Sequence, residues 1–298
     1  MATLGIVGLG TMGRPMAKNL LQAGHSVKAF DVSSVALDSI VESGGERATQ
    51  HSVVERVDAL ITMLPTGQDV ADVLDGDNGL FGHAGPDTLF IDSSSIDVDT
   101  ARMLADRAEQ CGMSIVDAPV SGGVAGAKAG TLTFMVGGTK SSFAKVKPIL
   151  ESMGKSIIHA GSSGAGQAAK ICNNMMLGIE MIAVAEAFGL AAKLGLDAKT
   201  LSDIIASSSG QCWSLTHNHP VRGLTPGAPA EHGYAPGFTS KLMLKDLKLS
   251  QNAAQSIDAW TPLGTAATEL YQKFVDAGHS DMDFSAIIQM IERDHIRS

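Results

Sequence analysis

Short apolar runs alternate with stretches of helical composition along the first half of the chain. Residues 2–7, 25–30 and 58–63 have the length of buried strands, and helical stretches follow at residues 14–23 and up to about residue 74. The same rhythm continues with predicted strands at 88–91, 113–116, 131–136 and 157–158 and predicted helices at 101–110 and 143–153. Strands that alternate with helices in this way predict an α/β fold with a doubly wound, mostly parallel sheet over residues 1–162.

The second half of the chain shows no convincing strand pattern. Apolar residues recur with helical spacing at 199–206, 241–256, 262–277 and 284–293. Between the first two of these lies an irregular segment, residues 207–237, which contains several prolines and glycines. Long irregular segments within compact domains are often functional. We therefore predict an all-helical domain over residues 163–298, joined to the first domain through a long helix.

That long helix, at residues 164–194, is apolar on almost all sides and rich in alanine and glycine. These features predict a central, buried helix, and Glu180 and Glu186 argue against a membrane span. Lys170 and Asn174 lie four residues apart, so both side chains fall on one face of the helix. Because cations are unfavourable near a helix N-terminus, Lys170 is a candidate functional residue. An ordinary core helix with a snorkelling lysine is the alternative.

A glycine-rich turn follows the first predicted strand. It reads Gly8-Leu9-Gly10-Thr11-Met12-Gly13, and the second predicted strand ends at Asp31, 18 residues after the last glycine. This order of strand, glycine turn, helix, strand and acidic residue is typical of a Rossmann-type dinucleotide site. A carboxylate at Asp31 accepts hydrogen bonds from ribose hydroxyls and repels a 2′-phosphate. We therefore predict that these seven residues bind NAD rather than NADP.

Small and polar residues occupy the predicted carboxyl ends of later strands, where ligands of doubly wound sheets bind. Leu64-Pro65 follows one strand and Ser95 follows the next. The loop Asp117 to Gly123 contains Ser121, Gly122 and Gly123, and successive main-chain N–H groups in such a turn can hold a carboxylate. A plain connecting loop is the alternative.

Two further groups of residues have weaker signals. Lys241 and Lys245 lie four residues apart on a predicted helix, which suits either an anion between them or a solvated helix face. His217 and His219 resemble a metal pair, but no third ligand lies nearby, so we predict no metal site.

Composition narrows the class of protein. The chain has 298 residues, 44% of them hydrophobic, and a formal net charge of −9, which argues against nucleic-acid or acidic-membrane partners. Three widely separated cysteines form neither a disulfide framework nor a zinc spacing, which indicates a reducing compartment. The first strand begins too early for a signal peptide ahead of Gly5. We expect a cytoplasmic protein; a mature organellar protein that has lost its presequence is the alternative.

Taken together, the motifs resemble those of the β-hydroxyacid dehydrogenase family from end to end. The family has a glycine fingerprint, a DxPVSGG-like segment, a GxGxxxKxxxN segment and a Lys-Asp pair. The corresponding segments here are Gly8 to Gly13, Asp117 to Gly123, Gly164 to Asn174, and Lys245-Asp246. Four matches in the right order are far more specific than any one of them.

The resemblance implies roles for the candidate residues. Lys170 is the catalytic acid/base and Asn174 hydrogen-bonds the substrate or orients the lysine. Ser121, Gly122 and Gly123 hold the substrate carboxylate, and Lys241 is a less certain substrate contact. Leu64, Pro65, Ser95 and Lys245 contact the cofactor. A free lysine has a pKa of about 10.4, so a base role requires burial or a neighbouring cation to lower that pKa.

The resemblance also implies a reaction. The segments 209–214, 218–220 and 237–246 favour NAD-dependent oxidation of 3-hydroxyisobutyrate to its semialdehyde, methylmalonate semialdehyde, a step of valine breakdown. Tartronate semialdehyde and 4-hydroxybutyrate are alternative substrates, and a non-catalytic NAD-binding regulatory protein is an alternative from another class. A zinc alcohol dehydrogenase is disfavoured, because its ligand set is missing. The family further implies a homo-oligomer, either a dimer or a tetramer.

Overall fold

The structure, a computed structural model, describes residues 1–293. The contacts divide the chain into two compact units, Met1–Lys170 and the part from Ile171 onward. The strands of the first unit are β1 (Thr3–Val7), β2 (Ser26–Phe30), β3 (Glu46–Arg47), β4 (Ala59–Thr62), β5 (Leu89–Asp92), β6 (Ser114–Asp117), β7 (Val120–Ser121), β8 (Leu132–Gly137) and β9 (Gly154–Gly161). Its helices are α1 (Gly13–Gln22), α2 (Ser34–Val41), α3 (Gly67–Asp75), a 3-10 turn (Leu80–Gly82), α4 (Val98–Gln110), α5 (Gly123–Ala129) and α6 (Lys140–Leu150).

All nine strands form one sheet with the order β3-β2-β1-β4-β5-β6-β8-β7, and β9 pairs with β8. The first six strands in this order are parallel, whereas β8 runs antiparallel to β6 and β7. Strand order reverses between β1 and β4, and ligands of doubly wound sheets bind outside the carboxyl ends of the strands at such a point. The predicted α/β, mostly parallel architecture is confirmed.

Both faces of the sheet are covered. On β4, Ala59 and Ile61 contribute to one buried cluster, whereas Leu60, between them, contributes to the other. Successive strand residues point to opposite faces, so a strand that is buried on both sides must be apolar at every position. This requirement explains why the central strands appeared as continuous apolar runs in the sequence.

Five elements of the first unit were missed or displaced in the sequence prediction. Helix α2 and strand β3 lie in a stretch for which no element was predicted. The loop predicted from Asp117 to Gly123 contains the short strand β7 and leads directly into α5. Helix α6 begins at Lys140 rather than at residue 143, because Thr139 caps its N-terminus by accepting a hydrogen bond from the Ser142 N–H.

The helices of the second half are α7 (Ala165–Lys193), α8 (Ala198–Ala206), α9 (Trp213–Thr216), α10 (Ser240–Ser256), α11 (Pro262–Phe274) and α12 (Ile288–Arg293), with short 3-10 turns at Pro229–His232 and Phe284–Ile287 and a π-helical turn at Val275–His279. The first six residues of α7 belong to the first unit. From residue 171 to residue 293 there is no strand, as predicted; an isolated bridge joins Thr239 to Asp283.

Helix α7 differs from the prediction in one respect. Met181 and Ala185 are fully buried in the core of the second unit, but Met176 is 61% and Leu190 60% exposed. The prediction of a central, buried helix therefore holds for one side of α7 only, because the rest of its apolar circumference has no packing partners within the single chain. By length and composition alone this helix could span a membrane. In its most apolar 18-residue stretch, 39% of the residues are buried inside the protein.

Candidate active site

The glycine turn joins β1 to α1 at the reversal of strand order. A Cβ atom at Gly8 would lie 2.3 Å from the Met63 main-chain oxygen, and one at Gly13 would lie 1.9 Å from the Gly8 oxygen. Both glycines are therefore required by packing, and Gly8 also has a φ of +94°. A Cβ at Gly10 would meet nothing within 4 Å. The open space at Gly10 fits a site where a ligand approaches the backbone.

The N-terminus of α1 is suited to an anion. Met12 stands at the N-cap position and supplies no side-chain hydrogen bond, and the first turn contains no acidic residue. The first N–H groups of a helix lack intrahelical partners and carry partial positive charge. A pyrophosphate lying against Leu9 to Met12 would satisfy these donors, so the residues present fit the dinucleotide that the sequence predicts.

Asp31 follows β2 and is held firmly. Its Oδ2 accepts a hydrogen bond from the Leu9 N–H at 2.6 Å, and its Oδ1 accepts one from the Ser33 N–H at 2.7 Å. Each carboxylate oxygen retains further acceptor capacity for a ribose hydroxyl. Asp31 thus joins the glycine turn to the end of the neighbouring strand, as the spacing in the sequence implied.

The residues after β4 and β5 are also connected to each other. The Leu64 N–H donates to Ser94 Oγ at 2.9 Å, which brings Leu64-Pro65 beside the segment that contains Ser95. Asp92 Oδ1 accepts from Thr62 Oγ1 and from the Ser94 N–H. Burial raises the pKa of Asp92 to about 6, against these hydrogen bonds, which lower it. The carboxyl ends of the two strands therefore share one hydrogen-bonded network.

The predicted substrate loop lies between β7 and α5. Ser121 ends β7, and Gly122 and Gly123 follow with φ values of +131° and +59°. Two consecutive positive φ values are accessible mainly to glycine, so the local backbone depends on both of these residues. That the N–H groups of this turn hold a carboxylate stays a prediction.

The start of α7 is fixed by a buried carboxylate. Asp117 Oδ1 accepts from the Gly164 N–H at 2.7 Å, and Oδ2 accepts from the Gln167 N–H at 2.9 Å. A Cβ atom at Gly166 would lie 2.3 Å from the Met135 oxygen, so this glycine permits the close approach of helix and strand. Burial raises the pKa of Asp117, while its main-chain donors lower it. Both glycines of the GxG motif therefore serve the placement of this helix.

Lys170 and Asn174 both lie on α7, four residues apart, and both are buried, with 8% and 2% exposure. Asn174 Nδ2 donates to Asp246 Oδ2 at 2.5 Å, and Asn174 Oδ1 accepts from Asn173 Nδ2. Lys245 Nζ lies 3.8 Å from Asp246 Oδ1. The Lys-Asp pair of the sequence therefore contacts Asn174 through its aspartate, which had been assigned no role of its own.

Lys241, the less certain substrate contact, and two aromatic residues of the family-like segments 209–214 and 237–246 have different surroundings. Lys241 forms an exposed ion pair with Asp281, with 2.8 Å between Nζ and Oδ1. Trp213 is 48% exposed and stacks parallel to His217, whereas Phe238 packs edge-on against Phe284. Among residues 1–293, no group of three or more His, Cys, Asp or Glu side chains could hold a metal ion.

Three buried side chains were not identified as important from the sequence. Gln167 bonds both the Ser94 oxygen and the Ile96 N–H, Asp246 bonds Asn174, and Asp283 accepts from several main-chain N–H groups. Gln167 lies within the segment Gly164 to Asn174 and Asp246 within the Lys-Asp pair, so their positions in these motifs could have identified both. Nothing local in the sequence distinguishes Asp283.

Comparisons with known proteins agree with this architecture. A family model described as the NAD binding domain of 6-phosphogluconate dehydrogenase matches residues 3–161, and one described as NAD-binding of NADP-dependent 3-hydroxyisobutyrate dehydrogenase matches residues 164–291. The glycine turn, Asp31 and the Rossmann strand order, together with these matches, define an NAD-dependent dehydrogenase. The chain belongs to the β-hydroxyacid dehydrogenase family, as its motifs predicted.

Individual relatives cover almost the whole chain. A 3-hydroxyisobutyrate dehydrogenase from Pseudomonas aeruginosa is 48% identical over 96% of this chain and 97% of its own length. An NAD-dependent L-serine dehydrogenase from the same organism is 43% identical over 98% of both. The solved structure of Mycobacterium tuberculosis 3-hydroxyisobutyrate dehydrogenase, described with L-serine, has a TM-score of 0.93 at 47% identity and covers 98% of this chain and 99% of its own.

Proposed function

We propose that this enzyme oxidises 3-hydroxyisobutyrate to methylmalonate semialdehyde with NAD, as a step of valine breakdown, and that Lys170 is the general acid/base. The observation that carries the mechanism is the burial of Lys170 near the start of α7, in a chain whose 48% identical relative is named for this reaction. In this proposal residues 1–162 bind NAD, and residues 163–298 provide the remaining substrate contacts and the oligomer interface.

The side chains have distinct tasks in the proposed reaction. The N–H groups at Ser121, Gly122 and Gly123 hold the substrate carboxylate and orient the hydroxyl carbon. Lys170 removes the hydroxyl proton during oxidation and returns it to the carbonyl oxygen in reverse. Asn174, one helical turn further on, donates a hydrogen bond to the substrate or orients Lys170, and Asp246 restricts its rotation.

NAD, when bound, supplies the hydride acceptor. The residues proposed to hold it are the glycine turn from Gly8 to Gly13 for the pyrophosphate, Asp31 for the ribose, and Leu64, Pro65, Ser95 and Lys245 for the remainder. Asp31 supports NAD over NADP because its fixed carboxylate disfavours a 2′-phosphate. Lys241 is retained as a proposed substrate contact, although its ion pair with Asp281 must open first.

L-Serine is the second candidate substrate. The family includes a 43% identical relative named NAD-dependent L-serine dehydrogenase, and the M. tuberculosis structure is described with L-serine. Serine is also a 3-hydroxy acid, with an ammonium group where 3-hydroxyisobutyrate has a methyl group. Hydroxyl chemistry by Lys170 and carboxylate binding are common to both, so discrimination depends on the surroundings of the second carbon.

Substrate profiling tests the proposal. NADH and NADPH formation are followed by absorbance with 3-hydroxyisobutyrate, L-serine and 4-hydroxybutyrate, and consumption of NADH and NADPH is followed with tartronate semialdehyde. The proposal predicts the highest kcat/KM with 3-hydroxyisobutyrate and NAD. A higher value for L-serine would transfer the function to the second candidate, and absence of turnover with every compound would favour the regulatory, non-catalytic alternative.

The acid/base role is tested by Lys170→Met, with Lys193→Met on the last turn of the same helix as the matched control. We expect kcat to fall at least about 100-fold in the first variant, which is the lower limit typical of general acid–base catalysis, and to remain near wild type in the second. Undiminished turnover in Lys170→Met with normal NADH affinity would remove Lys170 from the mechanism.

We further propose a cytoplasmic homo-oligomer that pairs through the exposed apolar side of α7. On α7, Met176 and Leu190 are 61% and 60% exposed, and Leu194, directly after the helix, is 73% exposed. Neighbouring exposed apolar residues of this kind favour a protein partner. Sedimentation at working concentration is expected to give a dimer or tetramer, and Leu190→Lys is expected to shift it towards the monomer. A monomeric wild type would contradict this proposal.

A further inference from the structure

Gln167 occupies an unusual position between the start of the catalytic helix and the segment after β5. It is fully buried, with 0% exposure, and lies three residues before Lys170. Its Oε1 accepts a hydrogen bond from the Ile96 N–H at 3.1 Å, and its Nε2 donates to the Ser94 main-chain oxygen at 2.8 Å. The Gln167 side chain is therefore hydrogen-bonded to the main chain on both sides of Ser95.

Ser95 differs from its two neighbours in exposure. Ser94 and Ile96 are 0% and 1% exposed, whereas Ser95 is half-buried and so remains accessible. The peptide groups on both sides of Ser95 are held by the Gln167 side chain. The position of Ser95 is therefore fixed through its two neighbours in the chain, and the side chain that holds them is Gln167 of α7.

The main chain of Gln167 is fixed as well. Its N–H donates to Asp117 Oδ2 at 2.9 Å, so the same residue is tied to the end of β6 through its backbone and to the end of β5 through its side chain. No rotation or shift of the first turns of α7 can occur without breaking these bonds. Gln167 and Asp117 therefore together fix the first turns of α7, which carry Lys170, relative to the main chain at Ser95.

We infer that Gln167 is a positioning residue that couples the cofactor contact at Ser95 to the acid/base residue at Lys170. The inference rests on the proposed function for the roles of these two residues. Its consequence is that a change at Gln167 disturbs cofactor binding and turnover together, although Gln167 itself contacts neither reactant. A misplacement of about 1 Å at a reacting centre can cost about 100-fold in rate.

The first test replaces Gln167 by Met, which is similar in length and cannot make either hydrogen bond. The matched control is Thr88→Val, which removes a buried hydrogen bond from Thr88 Oγ1 to the Val57 main-chain oxygen at the opposite end of β5. We expect Gln167→Met to raise the KM for NAD and lower kcat, so that kcat/KM falls about 10- to 100-fold, with Thr88→Val near wild type. A Gln167→Met enzyme with KM and kcat matching those of Thr88→Val would overturn the inference and leave Gln167 a purely structural residue.

The second test uses Gln167→Glu and remains decisive if the Met variant does not fold. A protonated glutamic acid can accept from the Ile96 N–H and donate to the Ser94 oxygen, whereas a carboxylate cannot donate and faces that oxygen. The activity of Gln167→Glu divided by that of the wild type should therefore rise as the pH falls from about 9 to about 6, since burial raises carboxyl pKa values into this range. A flat ratio contradicts the inference.

The outcome for Gln167 can be separated from the outcome for the proposed function. If Lys170→Met retains turnover, the proposed acid/base role fails whatever the Gln167 variants show. If Lys170→Met is inactive while Gln167→Met keeps its kcat and KM, the positioning role fails alone.

Discussion

Asp31 in the first unit and Asp283 in the second have the same structural role, since each carboxylate accepts hydrogen bonds from several N–H groups. Asp31 accepts N–H groups from residues 2 and 22 positions away and fixes the glycine turn of the first unit. Asp283 accepts from the Gly237 and Phe238 N–H groups, 46 and 45 positions away, and from Asn218 Nδ2, 65 positions away. The first belongs to a compact sequence motif, whereas the second is assembled only by folding.

The difference shows where rigidity comes from in each unit. In the first unit the proposed cofactor residues stand at the ends of regular strands, so the sheet itself positions them. In the second unit the irregular segment at residues 207–237 has little secondary structure of its own, and a single buried carboxylate anchors both its interior and its end. Loss of one side chain should therefore disturb a whole segment there.

The largest expected effect is at the glycine turn. Gly13→Ala would place a Cβ atom 1.9 Å from the Gly8 oxygen, and we expect it to destabilise the first unit by about 3 kcal/mol or more and to abolish NAD binding. Gly10→Ala is the matched control, because a Cβ there meets nothing within 4 Å. It should leave the melting temperature unchanged and lower NAD affinity about tenfold, or by about 1.4 kcal/mol. Equal melting temperatures for the two variants would contradict the distinction.

Asp283→Ala is expected to have the next largest effect. It removes the acceptor of the partly buried Gly237 and Phe238 N–H groups and of the buried Ser285 N–H. Hydrogen bonds to charged groups contribute about 1.5–3 kcal/mol each, so the loss of stability should reach about 3 kcal/mol. Asp281→Ala, two residues away, removes only an exposed ion pair with Lys241 and should leave the denaturation midpoint nearly unchanged. A mild Asp283→Ala phenotype would show that the irregular segment has another anchor.

Asp31→Asn changes charge with little change of shape. We expect the ratio of kcat/KM for NAD to that for NADP to fall about tenfold, since the repulsion of a 2′-phosphate is lost. Asp58→Asn is a suitable control, because Asp58 also accepts a main-chain N–H, from Thr3, but at the opposite end of β1. Cofactor preference measured for both variants tests the predicted role, and an unchanged ratio in Asp31→Asn would refute it.

The last predicted effect depends on pH and lies in the second unit. Burial lowers the pKa of His219 from 6.5 to about 4, and its Nδ1 accepts from the Val221 N–H. A pKa that is lowered on folding gives stability that is present above about pH 6.5 and is lost as the pH falls through about 4. Between these limits the wild type should lose about 2 kcal/mol more than His219→Gln, whose side chain does not titrate. Denaturant midpoints at pH 7 and pH 4.5 provide the measurement; parallel curves for both proteins would exclude His219 as the cause.

Sequence patterns predicted the first unit well because the motif and the periodicity that define it lie within short stretches of consecutive residues. The run from β1 to Asp31 needs only about 30 consecutive residues, and the strand and helix periods are distinct there. Helix α5 was missed because its seven residues are mostly glycine and alanine, which carry no apolar period. Gln167 and Asp283 were missed because their partners are 45 to 73 positions distant, and no spacing rule links them.

The phase of α7 constrains how this family can vary in length. Gln167, Lys170 and Asn174 act from one continuous helix in which each residue turns the next by about 100°. A single inserted or deleted residue between them would therefore rotate Asn174 away from the Lys170 face, and no loop is available nearby to absorb the change. We expect insertions and deletions among homologues to collect in residues 207–237 and to be absent from residues 164–174. The spacing of Gln167, Lys170 and Asn174 should therefore stay constant while the length of the irregular segment varies.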